Sequence, residues 1–318
     1  MAAVLITGAT GKQGGSVIRS LIKRNAPFTI LAVTRNAHSS SALKLAQSSP
    51  KIQLVEGDLD DPAAMFRTAR SKLPASMPIW GVFSVQVAKP KSDIEKRQGI
   101  ALIDESIKQK VKHFVYSSVD RGGSRSSSNP TKIPHFIYKH EIEQHLMAST
   151  STSTSAAAGE TSSAMDWTIL RPTAFFENFT PDYLGKVFTT AWEMTLKENK
   201  SLQMIATSDI GSFAAKAFMN PEEAKGKMIS LAGDDLTYEE MERIFKEKTG
   251  REVPTTWKLP VKLMMLAVKE LGVMFKWFGE EGYAADVKEL KKEEPELKDF
   301  GTWLETESRF ETREKEKK

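Results

Sequence analysis

Val4-Leu5-Ile6-Thr7-Gly8-Ala9-Thr10-Gly11-Lys12-Gln13-Gly14, near the start of the chain, carries the strongest structural signal in the sequence. An apolar run of strand length passes directly into a turn with glycine at every third position, and helix-period apolar residues (Val17, Ile18, Leu21, Ile22) follow. Gly8 takes a turn conformation that a side chain forbids, Gly11 lets the backbone approach a phosphate, and Gly14 lets the helix pack against its strand. The helix start then offers unpaired N–H groups and a positive dipole end to an anion. Residues Gly8, Ala9, Thr10, Gly11, Lys12, Gln13 and Gly14 thus read as a cradle for a dinucleotide pyrophosphate. The spacing is Gly-x-x-Gly-x-x-Gly rather than Gly-x-Gly-x-x-Gly, and alone it also fits an incidental glycine-rich turn.

The next element narrows the choice. Asn25-Ala26-Pro27 ends the helix, and Phe28-Thr29-Ile30-Leu31-Ala32-Val33 reads as a buried strand, completing one βαβ unit. In NAD-binding units this second strand ends near an Asp or Glu that accepts from the ribose hydroxyls. Here it ends Thr34-Arg35-Asn36, with Ser39 close behind. A carboxylate repels a 2′-phosphate, whereas a guanidinium pairs with it through charge-assisted hydrogen bonds. Arg35, Asn36 and Ser39 therefore favour NADP(H) over NAD(H), against the plainer reading of Arg35 as a solvated charge at a strand end.

The α/β rhythm continues. Ile52 to Glu56 reads as a third strand ending near Asp58, with a helix from Pro62; Trp80 to Gln86 reads as a fourth, with a long amphipathic helix over Ile94 to Gln109. His113 to Val119 and Trp167 to Pro172 give a fifth and a sixth. Near-continuous apolar strands alternating with helices mean a parallel sheet covered on both faces, a Rossmann-type doubly wound α/β fold. Ligands of such sheets sit outside the carboxyl ends of the strands, where Asp58, Gln86, Ser117, Ser118 and Pro172 fall in register.

Past the sixth strand the pattern changes to a smaller α+β lobe. It has strands at Leu202 to Thr207 and Lys227 to Ala232, a capping box at Thr237 and Glu240, and a Met- and aromatic-rich helix after Pro260. Lys262, Lys269, Glu270 and Lys276 interrupt that helix, so it reads as core packing rather than a membrane span. The organisation expected is a dinucleotide-binding domain over residues 1–180, a C-terminal lobe over 181–310 forming a cleft, with strands returning to the main sheet, and a solvated, disordered tail over 311–318. Ala148 to Ala164 reads as a low-complexity surface insertion, and Arg121 to Ser128 as a mobile loop able to close over a ligand.

Composition sets the bounds. The net charge of +4 over 318 residues is modest and dispersed, which argues against nucleic acid as a direct ligand. With no cysteine there is no disulfide framework, thiol nucleophile or Cys-ligated metal, and the five histidines have no metal-ligand spacing. The apolar start is too short for a secretory signal. A soluble protein of the cytosol, extended to the nucleus on a regulatory reading, is the default expectation.

Taken together, Thr7 to Gly14, Arg35-Asn36, Gly57-Asp58-Leu59-Asp60-Asp61, the Lys112 to Ser118 strand, Phe175-Phe176-Glu177-Asn178 and Ser208-Asp209-Ile210-Gly211 resemble the NmrA-like family, a branch of atypical short-chain dehydrogenase relatives. The resemblance runs nearly the full length, to about Phe300-Gly301-Thr302-Trp303-Leu304. It implies a Rossmann domain, NADP(H) binding and a small C-terminal lobe. Carried over by position, Asp58 and Leu59 line the adenine, and Val85 and Gln86 the nicotinamide side. Lys139, Phe175, Phe176, Glu177 and Asn178 close around the nicotinamide ribose.

Whether the cofactor is turned over is the open question. Short-chain dehydrogenases use a Tyr-x-x-x-Lys pair, the lysine easing proton loss from the phenol. Lys139 fits the lysine's place, but His135 stands four residues earlier, and Tyr138 is adjacent to Lys139 and points elsewhere on a helix. His135 is a candidate acid, weighed against a surface or packing histidine. In reductases resembling isoflavone reductase a lysine alone serves, so Lys139 remains the candidate proton relay. Two readings follow. One is an NADP(H)-binding redox sensor that regulates a protein partner, as in transcriptional control. The other is an NADPH-dependent oxidoreductase acting on a small carbonyl or unsaturated substrate in the cleft. A scaffold that has lost cofactor binding is disfavoured by the intact glycine loop and Arg35.

Overall fold

The computed structural model describes residues 2–151, 165–196 and 199–315. The strands are β1 (Ala2–Ile6), β2 (Phe28–Thr34), β3 (Ile52–Glu56), β4 (Ile79–Ser84), β5 (His113–Ser117), β6 (Asp166–Pro172), β7 (Ala174–Phe175), β8 (Leu202–Ile205), β9 (Lys227–Leu231) and β10 (Asp234–Leu236). The helices that follow the first five strands are α1 (Lys12–Lys23), α2 (Ser40–Gln47), α3 (Pro62–Ser71), α4 (Ile94–Lys108) and α5 (Pro134–Thr150). A seven-stranded sheet runs in the order β3-β2-β1-β4-β5-β6-β9. Its first six strands pair in parallel, with Val4 beside Ile30 and Leu5 beside Val82. The order reverses between β1 and β4, so the chain leaves β1 to one side and returns on the other. That switch point opens a crevice at the carboxyl ends of the two strands.

By contacts the chain forms two compact units, interleaved in sequence rather than meeting at a single boundary near residue 180. One comprises residues 1–118, 138–170 and 210–229, the other 119–137, 171–209 and 230–318. In the first unit Leu5, Leu31, Val55, Val82, Phe114 and Ile169 form one apolar cluster with Met65, Phe66, Leu102, Ile103, Ile142 and Leu146. These come from α3, α4 and α5, which is why strands buried on both faces read as unbroken apolar runs. Within this unit a Cβ at Gly211 would come within 2.4 Å of the Ser16 carbonyl carbon, so this position accepts only glycine. His113 is buried, its ring stacked on Trp80 with centroids 5.9 Å apart, and burial pushes its pKa down to about 4.

The second unit has a three-stranded sheet, β10-β8-β7, and an aromatic core that includes Phe176, Phe179, Trp192, Phe245, Phe275, Phe300 and Trp303. The Met-rich stretch read as one helix is two, Lys258–Ala267 and Lys269–Glu280, broken at Val268. Their buried Val261, Phe275, Trp277 and Phe278 join that core, as core packing requires. The Thr237–Glu240 capping box is present in full.

Two sequence expectations are corrected here. Arg121 to Ser128 is not a mobile loop: Arg121 is wholly buried and donates to the carbonyls of Val119 (2.9 Å), Ser126 (2.7 Å) and Asn129 (3.0 Å). Beside it, the buried Asp120 accepts from the Gly122 and Gly123 N–H groups, from Ser230 Oγ at 2.6 Å and from Ala284 N at 3.0 Å. Two buried charges thus satisfy a backbone that composition alone marks as loose. Nor are residues 311–315 a disordered tail. Thr312 is buried, the Arg313 N–H donates to Lys248 O, and Lys315 Nζ donates to the carbonyls of Ser308 and Phe310 at 2.7 and 3.0 Å. Residues 316–318 of that tail, and 152–164 of the Ser/Thr-rich insertion, lie outside the described residues.

Candidate functional site

The glycine turn is built as its spacing requires. β1 ends at Ile6, Gly8 adopts φ +60°, and the Gly11 N–H donates to Gly8 O at 2.9 Å to close the turn. A Cβ at Gly14 would lie 2.4 Å from both Gly8 O and Thr7 O, so the first turn of α1 rests directly on the end of β1. Thr7 Oγ1 donates to Phe83 O and accepts from the Val85 N–H, each at 3.0 Å, which pins the turn to β4 across the switch point. No side chain caps α1 and no acidic residue stands in its first turn, so nothing competes with an anion for its positive end.

In front of the turn the first unit holds a cavity of about 440 Å³. Of the expected cofactor residues, Gly8, Thr10, Gly11, Arg35, Asn36, Asp58, Leu59 and Val85 all line it. Arg35 is exposed at the cavity wall and has no hydrogen bond or ion pair with any described residue. Asn36 is held by its own turn, its N–H donating to Thr34 Oγ1 and its Oδ1 accepting from the His38 N–H. Ala9 is buried in the turn, and Lys12 and Gln13 open α1. Ser39 does not line the cavity: its hydroxyl caps α2, accepting from the Ala42 N–H at 3.3 Å. Gln86 is buried just past β4, its Nε2 donating to Ser84 Oγ at 2.9 Å while its Oε1 is buried without a partner. Beside a turn that no side chain could enter, the site thus combines an exposed guanidinium with a buried amide oxygen that has no hydrogen-bond partner among the described residues.

Lys139 lies outside the cavity lining. It is buried in α5, and its Nζ donates to Ser117 O at 2.9 Å at the end of β5. The other candidate acid, His135, belongs to the second unit. There its Nδ1 is 2.7 Å from Glu270 Oε1 and its ring meets Phe136 edge-on, which holds the Glu270 carboxyl below the usual range. Phe175, Phe176, Glu177 and Asn178 also belong to the second unit. Phe176 is wholly buried against Phe300 and Trp303, and Glu177 Oε1 accepts from the Thr207 N–H at 2.9 Å and from its hydroxyl at 2.5 Å.

Sequence reasoning missed several cavity residues: Thr34, Asp60, Val87, Lys89, Ile94 and Gln98. Asp60 and Gln98 are joined, Gln98 Nε2 donating to Asp60 Oδ1 at 2.9 Å. Their common signal was position, since Thr34 ends β2 and the others follow the carboxyl ends of β3 or β4.

Residues 2–305 of the chain match the NmrA-like family. The chain belongs to that family. It is 26% identical over 310 residues to an NmrA-like family domain-containing protein of Dictyostelium discoideum, covering 93% of this chain and 96% of the relative. It is 25% identical over 255 residues to an NmrA-like family domain-containing oxidoreductase of Aspergillus hancockii, covering 78% of this chain and 73% of the relative. The fold of this NmrA-like chain is shared with the crystal structure of NmrA, a negative transcriptional regulator in complex with NAD, at a TM-score of 0.68 and 17% identity, covering 96% of this chain and 94% of that one. Among the described residues no helix is long and apolar enough to cross a membrane.

Proposed function

We propose that this NmrA-like protein binds NADP(H) at the glycine turn and presents its redox state to a protein partner. The observation that carries the reading is Arg35, a guanidinium with no partner among the described residues on the wall of the cavity in front of the turn. A cation left unpaired in that position is suited to the 2′-phosphate, which favours NADP(H) over NAD(H). The regulatory half is supported by the site's chemistry. The phenol of a Tyr-x-x-x-Lys pair is absent, and the histidine in its place is committed to Glu270. A cofactor that is bound and not consumed changes what a partner sees by favouring one conformation. The test is capture of partners on the immobilised protein in saturating NADP⁺ or NADPH; equal capture in both removes the basis of the regulatory reading.

A second reading is favoured by Lys139 and by the oxidoreductase name of the Aspergillus relative. On it, the protein reduces a small carbonyl or unsaturated substrate with NADPH, and Lys139 relays the proton. Loss of NADPH absorbance with any member of a broad carbonyl and enone panel, abolished by Lys139→Met, would decide for it.

A further inference from the structure

Glu95, in the first turn of α4, is 1% exposed, and neither of its carboxylate oxygens has a hydrogen-bond partner. The cation beside it is Lys139, whose Nζ is 3.4 Å from Glu95 Oε1. A buried carboxylate in such surroundings is expensive, and a well-packed apolar residue in its place is commonly no less stable. Stability therefore does not account for it; the ion pair with Lys139 does.

Lys139 is the hub of a chain of contacts within the first unit. Its Nζ donates to Ser117 O at 2.9 Å and lies 5.5 Å from the centroid of the Tyr116 ring. Ser117 Oγ donates in turn to Gln13 Oε1 at 2.5 Å, in the first turn of α1 beside the glycine loop. An ammonium group has three N–H donors. One is taken by Ser117 O and one is drawn toward Glu95, which leaves one for an acceptor that a ligand brings.

We infer that Glu95 is the positioning residue of Lys139, holding its ammonium at the carboxyl end of β5 with one donor free for the nicotinamide ribose that the family resemblance assigns to this lysine. The inference rests on the NADP(H) reading above. Glu95 does not touch the cofactor; it acts through Lys139. Replacing it with the isosteric glutamine removes the counter-charge and keeps the shape, so the fold is retained while the ammonium loses its second tether.

The experiment titrates NADPH and adenosine 2′,5′-bisphosphate, which lacks the nicotinamide ribose, into wild type and Glu95→Gln. NADPH affinity is expected to fall about tenfold in the variant, with the adenosine bisphosphate unchanged, as for a group coupled to one part of a ligand. A variant that loses both ligands equally, or neither, overturns the inference while leaving the cofactor site standing. Wild type that binds neither ligand instead overturns the NADP(H) reading itself. A double-mutant cycle gives a second check: in a Lys139→Met background, Glu95→Gln is expected to cost no further NADPH affinity. An equal cost in both backgrounds would make Glu95 merely structural.

Discussion

Replacing Arg35 with alanine should cost this protein NADP(H) and leave NAD(H) almost untouched. The guanidinium lies on the cavity wall with no partner among the described residues, so the substitution breaks no other contact there. Charge-assisted hydrogen bonds contribute about 1.5–3 kcal/mol each. Arg35 is exposed, however, and solvent and salt screen it, which reduces the expected loss to about 1–2 kcal/mol. That corresponds to roughly a 5- to 30-fold rise in the NADP⁺ dissociation constant, against less than about twofold for NAD⁺. Isothermal titration of both nucleotides into wild type and Arg35→Ala at fixed ionic strength measures the two changes. The wild-type preference should also narrow as salt is added, since the screened interaction is the discriminating one. Equal losses for the two nucleotides, or a preference indifferent to salt, would refute the reasoning.

Other outcomes follow from the same geometry. Gly14→Ala forces a Cβ to within 2.4 Å of two backbone oxygens, so it should cost about 1–3 kcal/mol of stability and abolish nucleotide binding, read by urea unfolding and titration. His113, with its pKa lowered to about 4 by burial, stays neutral in the native state while the unfolded chain takes up a proton below about pH 6.5. Stability tied to this residue is therefore present above pH 6.5 and is lost as pH falls toward 4, by up to about 3 kcal/mol; His113→Gln should flatten that dependence in urea midpoints. Asp120→Ala leaves the N–H groups of Gly122, Gly123 and Ala284 and the Ser230 hydroxyl without their buried acceptor, and should destabilise by about 3 kcal/mol and expose residues 121–128 to proteolysis. Wild-type resistance at that segment and sensitivity in the variant would be the signature.

What the sequence made legible was whatever has a period or a forbidden conformation. The run from Val4 to Gly14 could be read because a strand must be apolar and because Gly8 and Gly14 stand where Cβ atoms cannot. The cavity residues of β1, β2 and β3 followed from the rule that parallel strands offer their carboxyl ends. What could not be read was satisfied burial. Arg121 and Asp120 look like loop charges until their partners at Ser230 and Ala284, distant in sequence, are brought to them. Glu95 looks like one more surface carboxylate at a helix start, since a helix of alternating charge says nothing of which single position turns inward. The interleaving of the two units was hidden for the same reason: α5 and the helix over Thr207–Met219 carry no mark of where their contacts lie.

The proposed nucleotide sits in the cavity of the first unit, phosphates on the glycine turn and 2′-phosphate on Arg35. Co-crystallisation with saturating NADP⁺ tests this directly. The expected result is density along Gly8 to Gly14 with the 2′-phosphate in hydrogen-bond contact with the Arg35 guanidinium; a cavity without nucleotide, or one holding it with the 2′-phosphate turned away to solvent, would contradict the account.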